Sequence, residues 1–571
     1  MKIIIVGAAI AGLSSYIFLH KHLVRDHPHD YELKIYEAYD IKQMQYDAPG
    51  REQLQSPESE TLFTPKIIGN AIGLGKNGLA VLKRMDDDGD VLRQIQEKGN
   101  CVSKWRIMTA RGWSIVDANV QASNGDNAEG KTTDTVMIAR QVAWEVLRDH
   151  VLSINPDAVT KKKVSSIADS PDGKVILHFT DNTKDSADLL IGADGLHSIV
   201  RQTIFKDTKD FEPQSWLQWP ERQPPKKKDY ITPQYEGLTG LGGFIPASVL
   251  AKTDYDPIAM SITFGPNGFF GHGYIGPVTH GASDNVSTGP IAAWWSTFSS
   301  DSPRPYQAQD QTRTRQDTRA TESTPNSQST STLKTTNKSH ALTDLLHRHR
   351  SWVNPTIHAI LDYIEENESI EHMYPTYTTP ELPTWVSHGS NGKTNMVLVG
   401  DAAHALQPSS GQGACQALED AEALALFLRH YLAPSAPTRD LNAAEVQTPA
   451  TQKALSAYVS FRKPRVAMIY KQSQRMSGRK MDMGVLMEYV MYAAIWIGTK
   501  MGGWGRYNEA LFGYDLPGEV ERVLRGEGRG GIRDGCWRMG GQRAVGMVVG
   551  WCEHVGGVGV TVRTLYGVID G

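Results

Sequence analysis

The chain has 571 residues, more than one ordinary domain, so two or three domains are expected. Its 40% hydrophobic and 21% charged residues are typical of a soluble globular protein. A net charge of −4 gives no electrostatic reason to expect nucleic acid as a partner. The four cysteines are scattered, which argues against a disulfide framework and a metal site and favours a reducing, cytoplasmic location.

The first segment alternates between strand and helix patterns. The apolar run from Ile3 to Val6 is too short for a signal peptide and predicts a buried strand. Helical spacing follows over residues 8–23, and residues 33–37 predict a second strand. This β-α-β unit is the opening of a doubly wound parallel sheet.

The turn between the first strand and helix is rich in small residues. In a dinucleotide-binding turn, glycines at Gly7 and Gly12 allow the tight turn and the close packing of helix on strand. Ala9 stands at the position of the middle glycine, so the match to GxGxxG is imperfect. Glu37 ends the second strand, where a carboxylate can accept hydrogen bonds from ribose hydroxyls; a solvated strand-end carboxylate is the simpler alternative.

The middle of the chain changes character. Helical patterns at residues 77–85 and 140–152 give way to short strands around the turn at 170–173. Residues 206–300 favour a mostly antiparallel sheet. Residues 301–340 are so polar that they predict a disordered insertion.

Two further motifs follow predicted strands. Asp194 lies between glycines in the segment 192–201, and Asp401 begins the segment 401–414, which contains a second glycine-rich turn. An aspartate at a strand end can accept hydrogen bonds from sugar-like hydroxyls. The second turn exposes N–H groups at the start of a helix, where negative charge is stabilised.

The C-terminal region is helical to about residue 524 and then turns into an irregular Gly-rich tail, 525–571. The apolar stretch from Val485 to Ile497 is shorter than the ~20 residues of a membrane span. A buried helix is expected there, and peripheral membrane contact is the alternative.

The three motifs, in this order, resemble the fingerprints of the class A flavoprotein monooxygenases, the family of p-hydroxybenzoate and salicylate hydroxylases. The segments 69–77 and 458–465 and the helix that begins at Arg140 resemble further parts of that family. The polar insertion and tail are similar to those of fungal secondary-metabolism members.

The resemblance implies a fold and a division into domains. The fold would be α/β, with a Rossmann-like FAD-binding domain, a mostly antiparallel substrate sheet and C-terminal helices. The implied segments are 1–205 and 391–430 for FAD binding, 206–390 for the substrate domain with its insertion at 301–340, 431–524 for the helices and 525–571 for the tail.

The resemblance also implies FAD as cofactor, NAD(P)H as co-substrate, and O2. Reduced flavin would form a C4a-hydroperoxide that hydroxylates or epoxidises a small aromatic, polyketide-like or terpenoid molecule, with no resident metal. The cofactor-binding residues would be Gly7, Ala9, Gly12, Glu37, Ala71, Arg140, Asp194, Asp401, Pro408, Gly411, Gly413 and Ala414.

The substrate domain departs from the family pattern. Many phenol-hydroxylating members have an arginine where this chain has Gly242, which argues against an anionic phenolate substrate. Tyr235 is the polar candidate at the substrate, among aromatic residues that could equally be sheet core. A flavin-dependent halogenase or oxidase, and a non-catalytic flavin-binding relic, remain alternatives. The substrate, the oligomeric state and the choice of NADH or NADPH stay open.

Overall fold

The computed structural model describes residues 1–41, 70–119, 135–170, 173–206, 229–277, 291–301, 303, 306–307, 340–367, 370, 372–387, 395–432, 443–477, 484–500 and 509–526. Most of the predicted insertion at 301–340, and the predicted tail from residue 527 onward, lie outside the described residues.

A five-stranded parallel sheet has the order β19-β12-β1-β2-β8. The side chains of Ile3, Ile4 and Ile5 are completely buried, as expected for a parallel strand that is covered on both faces. The strands are β1 (Lys2–Val6), β2 (Glu32–Glu37), β8 (Val159–Lys161), β12 (Leu189–Gly192) and β19 (Met396–Leu398).

Helices from distant parts of the chain cover this sheet. Helix α1 (Ile10–Leu19) packs against α4 (Arg140–Ile154) and α10 (Gly413–Leu432), while α5 (Ile199–Phe205) lies on β12 and β19. A Cβ atom at Gly400 would stand 2.8 Å from the Cβ of Ala11, so only glycine permits this approach to α1.

An eight-stranded sheet forms the second layer, with the order β17-β18-β13-β16-β15-β14-β5-β6. All neighbouring strands are antiparallel except β14 and β5. The strands are β5 (Lys104–Thr109), β6 (Ser114–Asn119), β13 (Gln234–Pro246), β14 (Ala259–Gly265), β15 (Gly268–Tyr274), β16 (Ile291–Ser299), β17 (Tyr306–Gln307) and β18 (His372–Thr378).

The strands β5 and β6 lie within the segment 1–205, yet they extend the eight-stranded sheet. Alternation of apolar residues indicates that a strand has one buried face, but it does not indicate which sheet the strand joins. The segment 1–205 therefore contributes strands to both large sheets, and its end does not coincide with a boundary between the sheets.

Each face of the eight-stranded sheet packs against a different partner. On one face, Phe270, Trp294 and Phe298 lie in an apolar cluster with residues of the helices α7 (340–349) and α8 (Pro355–Asn367). On the other face, Phe244, Met260 and Ala293 pack against Met137 and Ala139 of a small sheet. We call this second face the inner face.

The small sheet has the order β3-β7-β4 and connects the two layers. Its strands are β3 (Ala71–Gly75), β4 (Asn100–Val102) and β7 (Thr135–Ala139). Helices α2 (Lys76–Lys83) and α3 (Asp90–Lys98) lie between β3 and β4 along the chain. The predicted hairpin around 170–173 is present as β9 (Val164–Asp169) and β10 (Val175–Phe179), with β11 (Lys184–Ala187) beside it.

The C-terminal region is helical where the structure describes it. Its helices are α9 (Asp401–His404), α11 (Ala443–Ser477), α12 (Val485–Lys500), α13 (509–512) and α14 (Leu516–Leu524). Helix α12 presents Met491 and Tyr492 to the eight-stranded sheet, while the outward Leu486 is 77% exposed. In the described part of the chain, no helix is both long and apolar enough to cross a membrane.

Candidate functional site

Four parallel strands end side by side at one edge of the five-stranded sheet. In register, Val6 lies between Tyr36 and Gly192, and Gly192 lies beside Leu398. The residues that follow these strand ends are therefore neighbours, although they come from distant parts of the sequence. Ligands of open α/β sheets bind at this carboxyl edge, where the connections leave in opposite directions.

The first turn brings backbone close to backbone. Gly7 has a φ of +102°, and a Cβ atom there would lie 2.5 Å from the carbonyl oxygen of Ala193. A Cβ atom at Gly12 would lie 1.9 Å from the carbonyl oxygen of Gly7. Ala9 caps α1 without a side-chain hydrogen bond and is exposed. Its methyl group therefore occupies open space at a positive helix end, which suits phosphate.

Glu37 lies directly beside this turn. One of its carboxylate oxygens accepts a hydrogen bond from the backbone N–H of Ala8 at 2.7 Å, and the other accepts from the N–H of Tyr39 at 3.1 Å. The side chain is half-buried. Each carboxylate oxygen has a second lone pair, so Glu37 can still accept hydrogen bonds from a sugar.

Asp194 follows β12, and only one of its two carboxylate oxygens has hydrogen-bond partners. Its Oδ2 atom accepts hydrogen bonds from the N–H groups of Ile199, at 2.7 Å, and Val200, at 3.2 Å. Its Oδ1 atom is buried without a hydrogen-bond partner, and burial raises the pKa of Asp194. A buried polar atom without a partner is costly and points to a missing ligand. Arg201 donates instead to backbone carbonyls, including that of Ala402 at 2.9 Å.

The third motif forms an open rim. Asp401 and Pro408 are exposed at the surface. Gly411 has a φ of +61°, and neither Gly411 nor Gly413 has an atom within 4 Å of the place where a Cβ would stand. Helix α10 begins at Gly413, and its first turn, which includes the half-buried Ala414, has no acidic residue that would repel a negatively charged ligand.

A buried charge network that the motifs did not predict supports this rim. Glu419 accepts two hydrogen bonds from Arg465, at 2.7 and 2.9 Å, and one from Arg462 at 2.6 Å. Arg462 also contacts Asp420 at 2.8 Å. Burial opposes ionisation of Glu419, but the two guanidinium groups outweigh it and lower its pKa to about 2. Both arginines lie in the segment 458–465, one of the segments that resemble the class A flavoprotein monooxygenases.

Ala71 and Arg140 lie side by side where the small sheet meets the inner face. Ala71 pairs with Ala139 in the β3–β7 ladder, and the N–H of Arg140 donates to the carbonyl of Asn70 at 3.1 Å. The Arg140 side chain is exposed. Asn70, which sequence reasoning missed, donates to the hydroxyl of Tyr374 at 3.3 Å.

Glycines on the inner face make room for larger side chains of their neighbours. A Cβ at Gly271 would lie 2.2 Å from the Trp295 ring, and one at Gly242 would lie 2.7 Å from Nδ2 of Asn70. An arginine, or any other larger residue, at Gly242 would have to displace Asn70. Trp295 is only half-buried and packs with the inner-face cluster.

Tyr235 is near the start of β13, and its hydroxyl donates to the backbone carbonyl of Ser300 at 2.8 Å. Its ring packs against Tyr377, with centroids 5.6 Å apart. The structure thus gives Tyr235 a contact within the sheet, and its role at a substrate stays a prediction.

The residues at the sheet edge fit FAD. The unpartnered Oδ1 of Asp194, the uncapped start of α1 and the open backbone at Gly411 and Gly413 provide an acceptor, a phosphate site and room for a ring. Among the described residues, no cluster of His, Cys, Asp and Glu could hold a metal ion.

Comparisons with known proteins agree with this fit. Residues 387–458 match the model of the FAD binding domain. The aurachin C monooxygenase/isomerase of Stigmatella aurantiaca is 25% identical over 363 residues, which are 63% of this chain and 71% of that enzyme. The FAD-dependent monooxygenase nodY2 of Hypoxylon pulicicidum is 45% identical over 87 residues, 15% of this chain and 17% of that enzyme. For 3-amino-4-hydroxybenzoate 2-monooxygenase of Streptomyces cremeus, the match covers 54% of the relative. Most of these matches therefore span less than two thirds of the relatives' length.

Solved structures share the fold. A salicylate hydroxylase in complex with substrate aligns with a TM-score of 0.56 and 16% identity, over 91% of this chain and 97% of that chain. Klebsiella pneumoniae HpxO, complexed with FAD and uric acid, aligns with a TM-score of 0.55 and 16% identity, over 92% of this chain and 97% of that chain. The chain therefore contains an FAD-binding domain in the fold of salicylate hydroxylase, and the predicted resemblance to the class A flavoprotein monooxygenases is confirmed.

Proposed function

We propose that this protein is an FAD-dependent monooxygenase that uses NAD(P)H and O2 to hydroxylate or epoxidise a small organic molecule. The observation that carries the proposal is the meeting of three motifs at one sheet edge, with the unpartnered Oδ1 of Asp194 among them. Relatives that are monooxygenases support the reaction class. The resemblance of the polar insertion and tail to those of fungal secondary-metabolism members favours a role in secondary-metabolite biosynthesis.

Each predicted residue has a proposed role along the cofactor. Gly7, Ala9 and Gly12 approach the pyrophosphate, and Glu37 accepts hydrogen bonds from the adenosine ribose. Near the pyrophosphate, the unpartnered Oδ1 of Asp194 accepts a hydrogen bond from a sugar hydroxyl of the cofactor. The remaining proposed contacts, with ribityl, phosphate and isoalloxazine, are Ala71, Arg140, Asp401, Pro408, Gly411, Gly413 and Ala414.

The chemistry divides between cofactor and chain. Bound FAD, once reduced by NAD(P)H, would supply activated oxygen. The N-terminus of α10, which has no acidic residue in its first turn, would stabilise the negative charge of reduced flavin. The apolar inner face would exclude water from the oxygen-transfer step.

The inner face favours a neutral, largely apolar substrate. Its half-buried Trp295 and Ile262 offer a flat apolar wall, and the pair of Asn70 and Tyr374 offers hydrogen bonds beside Ala71. Asn70 fills the space beside Gly242, where an anion-binding arginine would otherwise reach. Aromatic, polyketide-like and terpenoid molecules all meet these conditions.

The alternatives predict different products. A halogenase would consume halide, an oxidase would release H2O2 in proportion to the reductant, and a relic would bind FAD without oxidising NAD(P)H. Incubation with 18O2, NADPH and a panel of neutral aromatic and terpenoid compounds should give a product heavier by one labelled oxygen atom. Halogenated product, or NADPH oxidation that always yields stoichiometric H2O2, would contradict the proposal.

The cellular setting is also proposed. Scattered cysteines favour the cytoplasm. The buried helix expected at Val485–Ile497 is wrong, because most of α12 is exposed. The alternative, peripheral contact with a membrane, would use the outer side of α12, where Leu486 and Trp496 are exposed. Co-sedimentation with phosphatidylcholine vesicles, lost in Leu486→Glu, tests this contact.

A further inference from the structure

Three hydrogen-bond donors from three segments converge on the carboxylate of Glu236, near the start of β13. Oε1 accepts from the hydroxyl of Thr378 at 2.5 Å and from the hydroxyl of Tyr470 at 3.3 Å. Oε2 accepts from the amide Nε2 of Gln407 at 2.5 Å. Glu236 is half-buried.

The three donors connect different parts of the site. Thr378 ends β18 of the eight-stranded sheet, and Tyr470 lies in α11. Gln407 immediately precedes Pro408, so Glu236 holds the first residue of the loop that leads to Gly411. We call residues 407–413 the flavin loop.

Other contacts hold the rest of the flavin loop. The hydroxyl of Ser409 donates to the carbonyl of Ser473, also in α11, at 3.2 Å. At the far end, the side chain of Gln412 is buried and accepts from Asn77 at 3.0 Å. The flavin loop is thus fixed to the FAD-binding domain at one end, and to the substrate sheet, through Glu236, at the other.

The position of Glu236 in β13 gives this contact its importance. Gly237, the next residue, has a φ of +69°, and the pairing of β13 with β18 shifts register between Tyr235 and Thr239. The irregular stretch directs Glu236 towards the flavin loop, and the regular strand that follows carries Gly242 of the inner face. A bulge that re-aims a side chain beside a site is a recurring device.

We propose that Glu236 is a positioning residue that couples the substrate sheet to the flavin loop and so sets the place of the flavin ring relative to the inner face. The inference rests on the proposed function, because it assumes that the loop contacts FAD. A carboxylate suits this role because it accepts several hydrogen bonds at once and strengthens each of them by its charge.

The test uses a donor–acceptor exchange in the full-length protein. Glu236→Ala removes the shared acceptor, and Gln407→Glu places two carboxylates in contact. The double variant Glu236→Gln/Gln407→Glu restores one donor facing one acceptor, while the carbonyl oxygen of the new amide still accepts from Thr378. The readouts are the dissociation constant of added FAD and the visible circular dichroism of bound FAD.

Each single variant should weaken FAD binding roughly tenfold and change the dichroism, and the double variant should recover most of both. The control is Glu488→Gln in α12, which removes the negative charge and one of the two acceptor oxygens that bind Arg111, both at 3.0 Å, and should leave both flavin readouts unchanged. Unchanged FAD binding in the single variants, or equal loss in single and double variants, would overturn the proposal. A wild-type protein that binds no FAD would overturn the proposed function, and this inference with it.

Discussion

Ala9 is the residue at which this chain departs from the GxGxxG pattern, and its exposed methyl group lies at the uncapped start of α1. We expect Ala9→Asp to weaken FAD binding at least tenfold, because a carboxylate would face the negatively charged pyrophosphate across a short distance. Ala9→Gly should bind FAD within about threefold of wild type, since removing an exposed methyl group costs little. If Ala9→Asp and wild type bound FAD with equal affinity in a titration, the proposal that this turn contacts the pyrophosphate would be wrong.

Cys415 lies just behind the flavin loop and is fully buried. Burial raises the pKa of its thiol to about 12, and a Cβ at the neighbouring Gly78 would stand 2.7 Å from its sulfur. We therefore expect Cys415 to pack as an inert side chain. Site-resolved mass spectrometry after iodoacetamide treatment at pH 8 should show no label at Cys415 in the native protein and full label after denaturation. Labelling of the native protein would refute this.

Residues at backbone motifs could be predicted from the sequence, while side chains that meet across elements could not. Gly7 and Gly12 stand out because their spacing reflects a local turn. Glu236, Asn70 and Tyr374 belong to no local pattern, since their partners lie 171, 304 and 304 positions away. Only the tertiary structure brings them together.

At the scale of elements, α10 and α11 are joined by charge as well as by apolar packing. Arg462→Met leaves Glu419 and Asp420 buried with one cation fewer, and we expect it to lower the free energy of unfolding by about 3–5 kcal/mol. The exposed pair of Arg93 and Glu97 is the control, because Arg93→Met should lower the free energy of unfolding far less than Arg462→Met does. Chemical denaturation of the apoprotein measures both. If the two substitutions lowered the free energy of unfolding equally, the buried network would stabilise the fold no more than an exposed ion pair does.

The same network predicts a dependence of stability on acid. The pKa of Glu419 is about 2 in the folded protein, below the usual ~4.3 of an unfolded chain. The contribution of ionised Glu419 to stability is complete when the pH is above its pKa in the unfolded chain. It is lost as the pH falls towards its pKa in the folded protein. The thermal midpoint of the apoprotein should therefore fall between pH 5 and 3, and less so in Arg465→Met. Identical pH profiles of the two proteins would contradict this.

Most elements followed from periodicity. The helix expected at 140–152 spans Arg140–Ile154, and the helix expected after the second glycine-rich turn spans Gly413–Leu432. The partners of strands were harder to predict. Strands β5 and β6 join the eight-stranded sheet through a parallel contact with β14, and no local signal specifies a pairing between residues about 155 positions apart.

At the scale of the whole molecule, the order of motifs predicted the fold because each motif follows a strand of the same parallel sheet. The chain leaves this sheet after β12, forms most of the eight-stranded sheet, and returns with β19. The hydrogen bond from Gln407 to Glu236 connects this excursion to the flavin loop, which follows the last strand of the first sheet. Under the proposed function, the identity of the substrate would depend on side chains of the inner face, for which a single sequence has no periodic signal.

The most direct test of the central claim is anaerobic reduction of the purified protein, reconstituted with FAD, by NADPH or NADH, followed by admission of O2. The account predicts flavin bands near ~370 and ~450 nm, bleaching of the second band by reduced nicotinamide when a neutral apolar substrate is present, and its recovery with O2. Folded protein that shows no flavin bands, or bound FAD that neither nicotinamide reduces with any substrate of the panel, would contradict the account.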